Sequence, residues 1–166
     1  MARVNNFALT RLTKVVTIAD VTAPKLATEI SAVGSKELVS NLTKNYDLGV
    51  DKSDSISEVG VNDRSKSDLR TIGGYHGSLE FFRDLDPSTN LPMATDCTKL
   101  IGEGEYFYVV RRVGFPAATA YAVGQEVEVY YFQSDFWQFP QGDGMVKAKI
   151  ELFQLAQFKT NAVIAT

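Results

Sequence analysis

Histidine and cysteine each occur once in this chain, as His76 and Cys97. A lone cysteine forbids an intrachain disulfide and gives no sign of an oxidising compartment. A lone histidine excludes a multi-histidine metal centre, and any Cys–His or Ser–His nucleophile would have to use the same ring. No nucleophile-elbow pattern supports a serine triad. No apolar run near the start is long enough for a signal-peptide core or a membrane span, so synthesis inside the cell is expected. A basic surplus is lacking too: 20 acidic residues stand against 17 basic ones, for a net charge of −3. Tight nucleic-acid binders displace counterions with a basic face, so any contact with DNA should be weak and without sequence preference.

What remains is ordinary globular material. The 166 residues are 45% apolar and 22% charged, enough for one domain with its own core. Ten Phe, seven Tyr and one Trp favour strands, where flat and β-branched side chains pack on a pleated surface. We therefore expect a single mainly β domain over residues 1–166, without catalytic, cofactor or metal residues.

Along the chain, residues 1–18 alternate loosely and read as an extended arm or edge strand. Thr22-Ala23-Pro24 resembles a helix start with Thr22 as N-cap; Leu26, Ala27, Ile30 and Val33 would share one face, and Gly34 would end it. Glu37 to Thr43 reads as a strand. Residues 44–74 form a long charged excursion carrying Asp47, Asp51, Asp54, Glu58, Asp63 and Asp68, with room for one strand near Ser55 to Val61. Its acids miss the EF-hand spacing and are better read as a solvated loop. Gly77 to Leu85 is a strand, Thr95 to Ile101 a short helix capped by Thr95 or Asp96, and Tyr106 to Val113 a strong strand. Glu126 to Asp135 and Val146 to Phe158 are long strands joined through a 136–144 loop.

In that last pair, Val127, Val129 and Tyr131 point one way, with Glu126, Glu128, Tyr130, Phe132 and Ser134 opposite. Val146, Ala148, Ile150 and Leu152 share a face opposite Lys147, Lys149 and Glu151. The expectation is one dry face and one wet, charged face. The glycine-rich Gly102-Glu103-Gly104 and Gly73-Gly74-Tyr75-His76-Gly77 lack the strand–loop–helix context of a phosphate loop and read as turns. His76 reads as a turn residue and Cys97 as a small apolar helix residue. Two readings stay open for Trp137, with Phe136 and Phe139 beside it: a loop packed on its own core, or an anchor in a neighbouring subunit.

Three blocks in succession resemble the tail tube (major tail) protein of long, non-contractile-tailed bacteriophages, of the type found in phages of actinobacteria. The first runs from Thr17 to Pro24 and on to Asn41-Leu42-Thr43. The second is Tyr75-His76-Gly77-Ser78-Leu79-Glu80-Phe81-Phe82-Arg83-Asp84. The third is Gly104-Glu105-Tyr106-Phe107-Tyr108-Val109-Val110-Arg111-Arg112, continuing through Val123-Gly124-Gln125-Glu126-Val127 and Pro140-Gln141 to Lys147-Ala148-Lys149-Ile150. The order covers nearly the whole chain.

The resemblance implies an antiparallel β-sandwich or split barrel with a short helix. It implies six copies per ring and rings stacked into a tube whose inner strands merge into one continuous barrel around genomic double-stranded DNA. The virion tail, assembled in the host bacterial cytoplasm, is the implied location, with tape-measure and tail-terminator proteins as partners. Within that frame Glu126, Glu128, Glu151, Lys147 and Lys149 are the channel-lining candidates. Phe7, Leu9, Leu12, Trp137, Phe139, Val163 and Ile164 are the inter-subunit candidates. The arm at Phe7 to Ile18, the charged excursion and the apolar end Ala162 to Ala165 are the expected stacking segments. Head–tail joining or tail-terminator rings, and a soluble β-sandwich binding module, are the alternatives.

Overall fold

The computed structural model describes residues 9–52, 55–58, 67–70, 73–141 and 144–166. Nine strands are described: β1 (Thr10–Val15), β2 (Lys36–Glu37), β3 (Asp47–Val50), β4 (Ser55–Glu58), β5 (Ser67–Arg70), β6 (Tyr75–Phe82), β7 (Tyr106–Val113), β8 (Glu126–Ser134) and β9 (Lys147–Val163). Seven make one antiparallel sheet in the order β2-β1-β7-β8-β9-β6-β3, and β4 and β5 form a separate hairpin. The mainly β, antiparallel expectation holds. The sheet does not close on itself, because β2 and β3 lie at its two ends.

Alternation explains where the cores sit. Along β6, Tyr75, Gly77, Leu79 and Phe81 are buried while His76, Ser78, Glu80 and Phe82 are only half-buried. The buried set joins Leu12, Leu48, Phe107, Val109, Tyr130, Phe132, Ala148, Ile150 and Leu152 in a first core. Tyr108, Val110, Val127, Val129, Val15, Ala162 and Ile164 form a second. Successive β7 residues alternate between the two, so the cores lie on opposite faces of the sheet. A close approach at Gly77 ties strand to core, since a Cβ there would stand 2.8 Å from Cζ of Phe132.

The single dry face expected for β8 and β9 is therefore corrected. Val127 and Val129 belong to one core, whereas Ala148, Ile150 and Leu152 belong to the other, together with Tyr130 and Phe132. Val146, assigned to the dry face, is exposed. Burial on both sides of β7 and β8 cannot be read from alternation alone. Bulges add to this: the step from Val127 to Val129 is matched by Ala162 to Lys159, and Tyr130 to Phe132 by Phe158 to Gln154. The extra residues sit in β9, which runs on to Val163 rather than stopping at Phe158.

Other segments differ as well. Of the expected strand Glu37 to Thr43 only Glu37 belongs to a strand, the two-residue Lys36–Glu37, and Val39–Asn41 is a 3₁₀ turn. Asp47–Val50 is a sheet strand and not loop, paired along Tyr75 to Ser78. The segment Leu26–Ile30 is a single π-helical turn with Lys25, not Thr22, at its N-cap and no side-chain cap bond. Thr22 instead donates its N–H and hydroxyl to Asp20 Oδ1. The buried Glu29 carboxylate organises the turn by accepting from the N–H groups of Ala19 and Lys25 at 2.9 and 2.7 Å. Val33, expected to share a helix face with Leu26, Ala27 and Ile30, lies beyond the turn and is fully exposed.

The short helix α1 (Cys97–Leu100) follows the expectation, with Asp96 as N-cap accepting from the N–H of Thr98. Asp96 Oδ2 also takes Nε of Arg83 and the N–H of Asp84, each at 2.8 Å.

Candidate functional site

The chemistry of a mainly β chain with unpaired sheet ends lies in its faces and edges. On the face opposite the first core, β6 and β9 bring together Ser78, Glu80, Lys147, Lys149 and Glu151. Cross-strand pairing sets Glu80 beside Lys149 and Ser78 beside Glu151. Lys149 Nζ lies 2.6 Å from Glu151, and Lys147 Nζ lies 3.2 Å from Glu80. Glu80 also accepts from the Thr43 hydroxyl and the Asn45 amide, at 2.9 and 3.0 Å. Burial would raise the Glu80 carboxyl, but these three donors outweigh it and hold it below the ordinary range. The Glu151 carboxylate raises the Lys149 ammonium. The result is a surface of alternating, locally neutralised charge.

The other two acidic candidates lie elsewhere. Glu128 pairs across the sheet with Arg111, and along β8 it shares a face with Tyr130 and Phe132. Glu128 accepts from Arg111 Nε and from the Tyr130 hydroxyl, while Arg111 also donates to the Leu48 carbonyl at 2.6 Å. By alternation Glu126, exposed at the start of β8, follows Glu128. Glu126 and Glu128 are thus on the opposite side of the sheet from Glu151.

The inter-subunit candidates divide too. Phe7 lies outside the described residues. Leu12 and Ile164 are buried within the chain's own two cores, which corrects their reading as surface contacts. The apolar end is likewise held by its own chain: Val163 N–H donates to Thr22, Ala165 N–H to Pro24, and Leu26 N–H to Ala165. Trp137 packs edge-on against Phe81 and donates Nε1 to the Ile101 carbonyl at 3.2 Å, so the own-core reading is the one observed. Leu9 is half-buried, while Phe139 and Val163 are about half exposed.

Sequence reasoning missed a row of exposed aromatics. Tyr106 pairs with Gln133 and Gln133 with Phe153, and both aromatics face solvent. Phe136 stands beside Phe153 in a shallow groove with Glu103 and Asp135 and is 72% exposed. The signal was present: Phe153 has the same parity along β9 as Lys149 and Glu151. Cys97 is inert, its thiol pushed up to about 12 by burial. No cluster of His, Cys, Asp or Glu suited to a metal occurs among the described residues.

The profile of one protein family, described as "Phage tail tube protein", matches residues 3–166. The chain belongs to the phage tail tube protein family. No curated protein matches it. Among solved structures it is similar to a chain in the cryo-EM structure of the anti-feeding prophage (AFP) baseplate, 6-fold symmetrised. The TM-score is 0.53 at 10% identity, covering 96% of this chain and 95% of that one, a likeness of fold. This tail tube protein is accordingly a structural component of a phage tail, a virion part whose family implies self-association. Among the described residues no helix is long and apolar enough to cross a membrane.

Proposed function

We propose that the chain forms six-membered rings that stack into the tail tube and conduct double-stranded DNA. The observation carrying this is the unclosed sheet: among the described residues β2 and β3 each have one unpaired edge, and edges joined around a rotation axis are removed without closing the single subunit. The face bearing Glu80, Lys147, Lys149 and Glu151 is the channel wall in this reading. Glu126 and Glu128, on the other side of the sheet, leave the wall. Alternating paired charges hold few counterions and offer phosphate no continuous basic track, so DNA slides. The exposed Tyr106, Phe136, Phe139 and Phe153 suit contacts with further copies, tape-measure protein or tail-terminator protein.

Negative-stain microscopy of concentrated protein tests the reading. Rings and tubes of indefinite length are expected. Single rings that never stack would favour a joining or terminator protein, and a monomer at every concentration, even with nucleating partners, would overturn ring formation.

A further inference from the structure

The free edge of the sheet holds an arrangement that the tube reading does not use. Asp47 opens β3 and Asp51 directly follows it, with Gly49 between them and paired to His76 on β6. The imidazole lies over Gly49, where a Cβ would meet its ring at 3.6 and 3.7 Å. Its Nδ1 is 2.6 Å from Asp51 Oδ1 and its Nε2 is 3.1 Å from Asp47 Oδ1. Ionised carboxylates only accept, so both contacts are hydrogen bonds at once only when both ring nitrogens carry protons, the imidazolium then bridging two acids.

We infer that His76 is a proton-operated clasp on the edge strand: doubly protonated it ties β3 to β6, and deprotonated it releases that tie. A neutral ring carries one N–H, so one carboxylate would then face a lone pair, and the two aspartates would lose their shared countercharge. Among the described residues, the charged groups on the same side of β6 and β9 engage one another. From β6 itself Glu80 is held by Lys147, Thr43 and Asn45; from β9, Lys149 and Glu151 hold each other. Among the described residues, β3 is further anchored by its backbone ladder, the buried Leu48 and the Arg111 bond to the Leu48 carbonyl, none of which titrates near neutrality.

The bond to Asp51 is the main cause raising the imidazole above its ordinary 6.5; partial burial opposes it, and Asp47 adds to it. A raised folded-state value means the stabilisation is complete below about 6.5 and is lost as pH rises through the folded value. If the free edge joins a neighbouring copy, as the tube reading holds, the clasp governs whether that edge is presented in order. The clasp itself can be tested on the soluble chain without any tube.

His76 is the only histidine, so its ring gives one unambiguous NMR titration. The expected midpoint lies above 6.5, falls in D51N and falls less in D47N. Amide protection of Leu48, Gly49 and Val50, measured against Val109 and Val110, should drop as pH passes that midpoint. The drop should be tenfold for each unit between the midpoint and 6.5, and absent in H76Q. A midpoint at or below 6.5, or an equal drop in H76Q, overturns the clasp. Failure to form rings would instead count against the tube reading alone.

Discussion

Asp96 shows how one residue joins α1 to the segment that follows β6 in this tail tube protein. Its side chain is buried, yet it stays ionised because Arg83 Nε, the Thr98 hydroxyl and N–H, and the Asp84 N–H all donate to it. Burial raises its carboxyl, the donors outweigh that, and the net direction is down. A lowered folded-state value gives stability that is present above the unfolded value, near 3.9, and is lost as pH falls through the folded value. Asp96→Ala removes the helix cap and leaves Arg83, itself mostly buried, without its charge partner. About 3 kcal/mol of destabilisation is expected. Chemical denaturation at neutral pH measures it, and the variant should also lose the wild-type fall in stability below pH 4. A change under about 1 kcal/mol would mean that solvent replaces the lost donors' partner.

At the level of elements, what could be read in the sequence depended on how local the signal was. Tyr106–Val113 was legible residue for residue, because an unbroken aromatic and β-branched run has few alternatives. The cap of α1 was legible as Thr95 or Asp96, and the structure selects Asp96. The short β2 and the edge strand β3 were not, since a strand of so few residues is made by its partner and not by its own propensity. Burial of both faces of β7 and β8, and hence the fate of Leu12 and Ile164, was hidden for the same reason: it depends on which segments fold back across the sheet. The opposed positions of Glu128 and Glu151 needed the first core as reference, which only the long-range register supplies. The start of the chain gives the sharpest consequence. The segment 1–18, read as an extended arm or edge strand, contains β1, whose Leu12 and Val15 sit in the two cores and which pairs with both β2 and β7. Removing residues 2–16 should abolish cooperative unfolding. Thermal unfolding followed by circular dichroism measures it, and an intact transition in the truncation would show that β1 is not integral to the fold.

For the whole molecule, the two sides of the sheet should differ in what charge reversal does to the assembled tube. Glu151 lies on the proposed channel wall, where Lys147 and Lys149 are balanced by Glu80 and by Glu151 itself. Glu151→Lys turns that balance into a row of three lysines along β9, changing each subunit by two charges, and six-fold repetition would multiply the change around the wall. A continuous basic track binds phosphate through counterion release, so retention of DNA should appear at low salt and vanish as salt rises. Glu126→Lys makes the same change in net charge on the other side of the sheet, at an exposed position, and serves as the matched comparison. Tubes of both variants, incubated with short linear duplex DNA and washed, should differ: E151K tubes keep DNA at low salt, while E126K tubes release it as wild-type tubes do. Equal retention by the two would mean that net charge acts without regard to side, and retention by E126K alone would move the channel wall to the face of Glu126 and Glu128. Because neither residue belongs to a core, both variants should assemble, and the comparison then depends only on which face of the sheet meets the DNA.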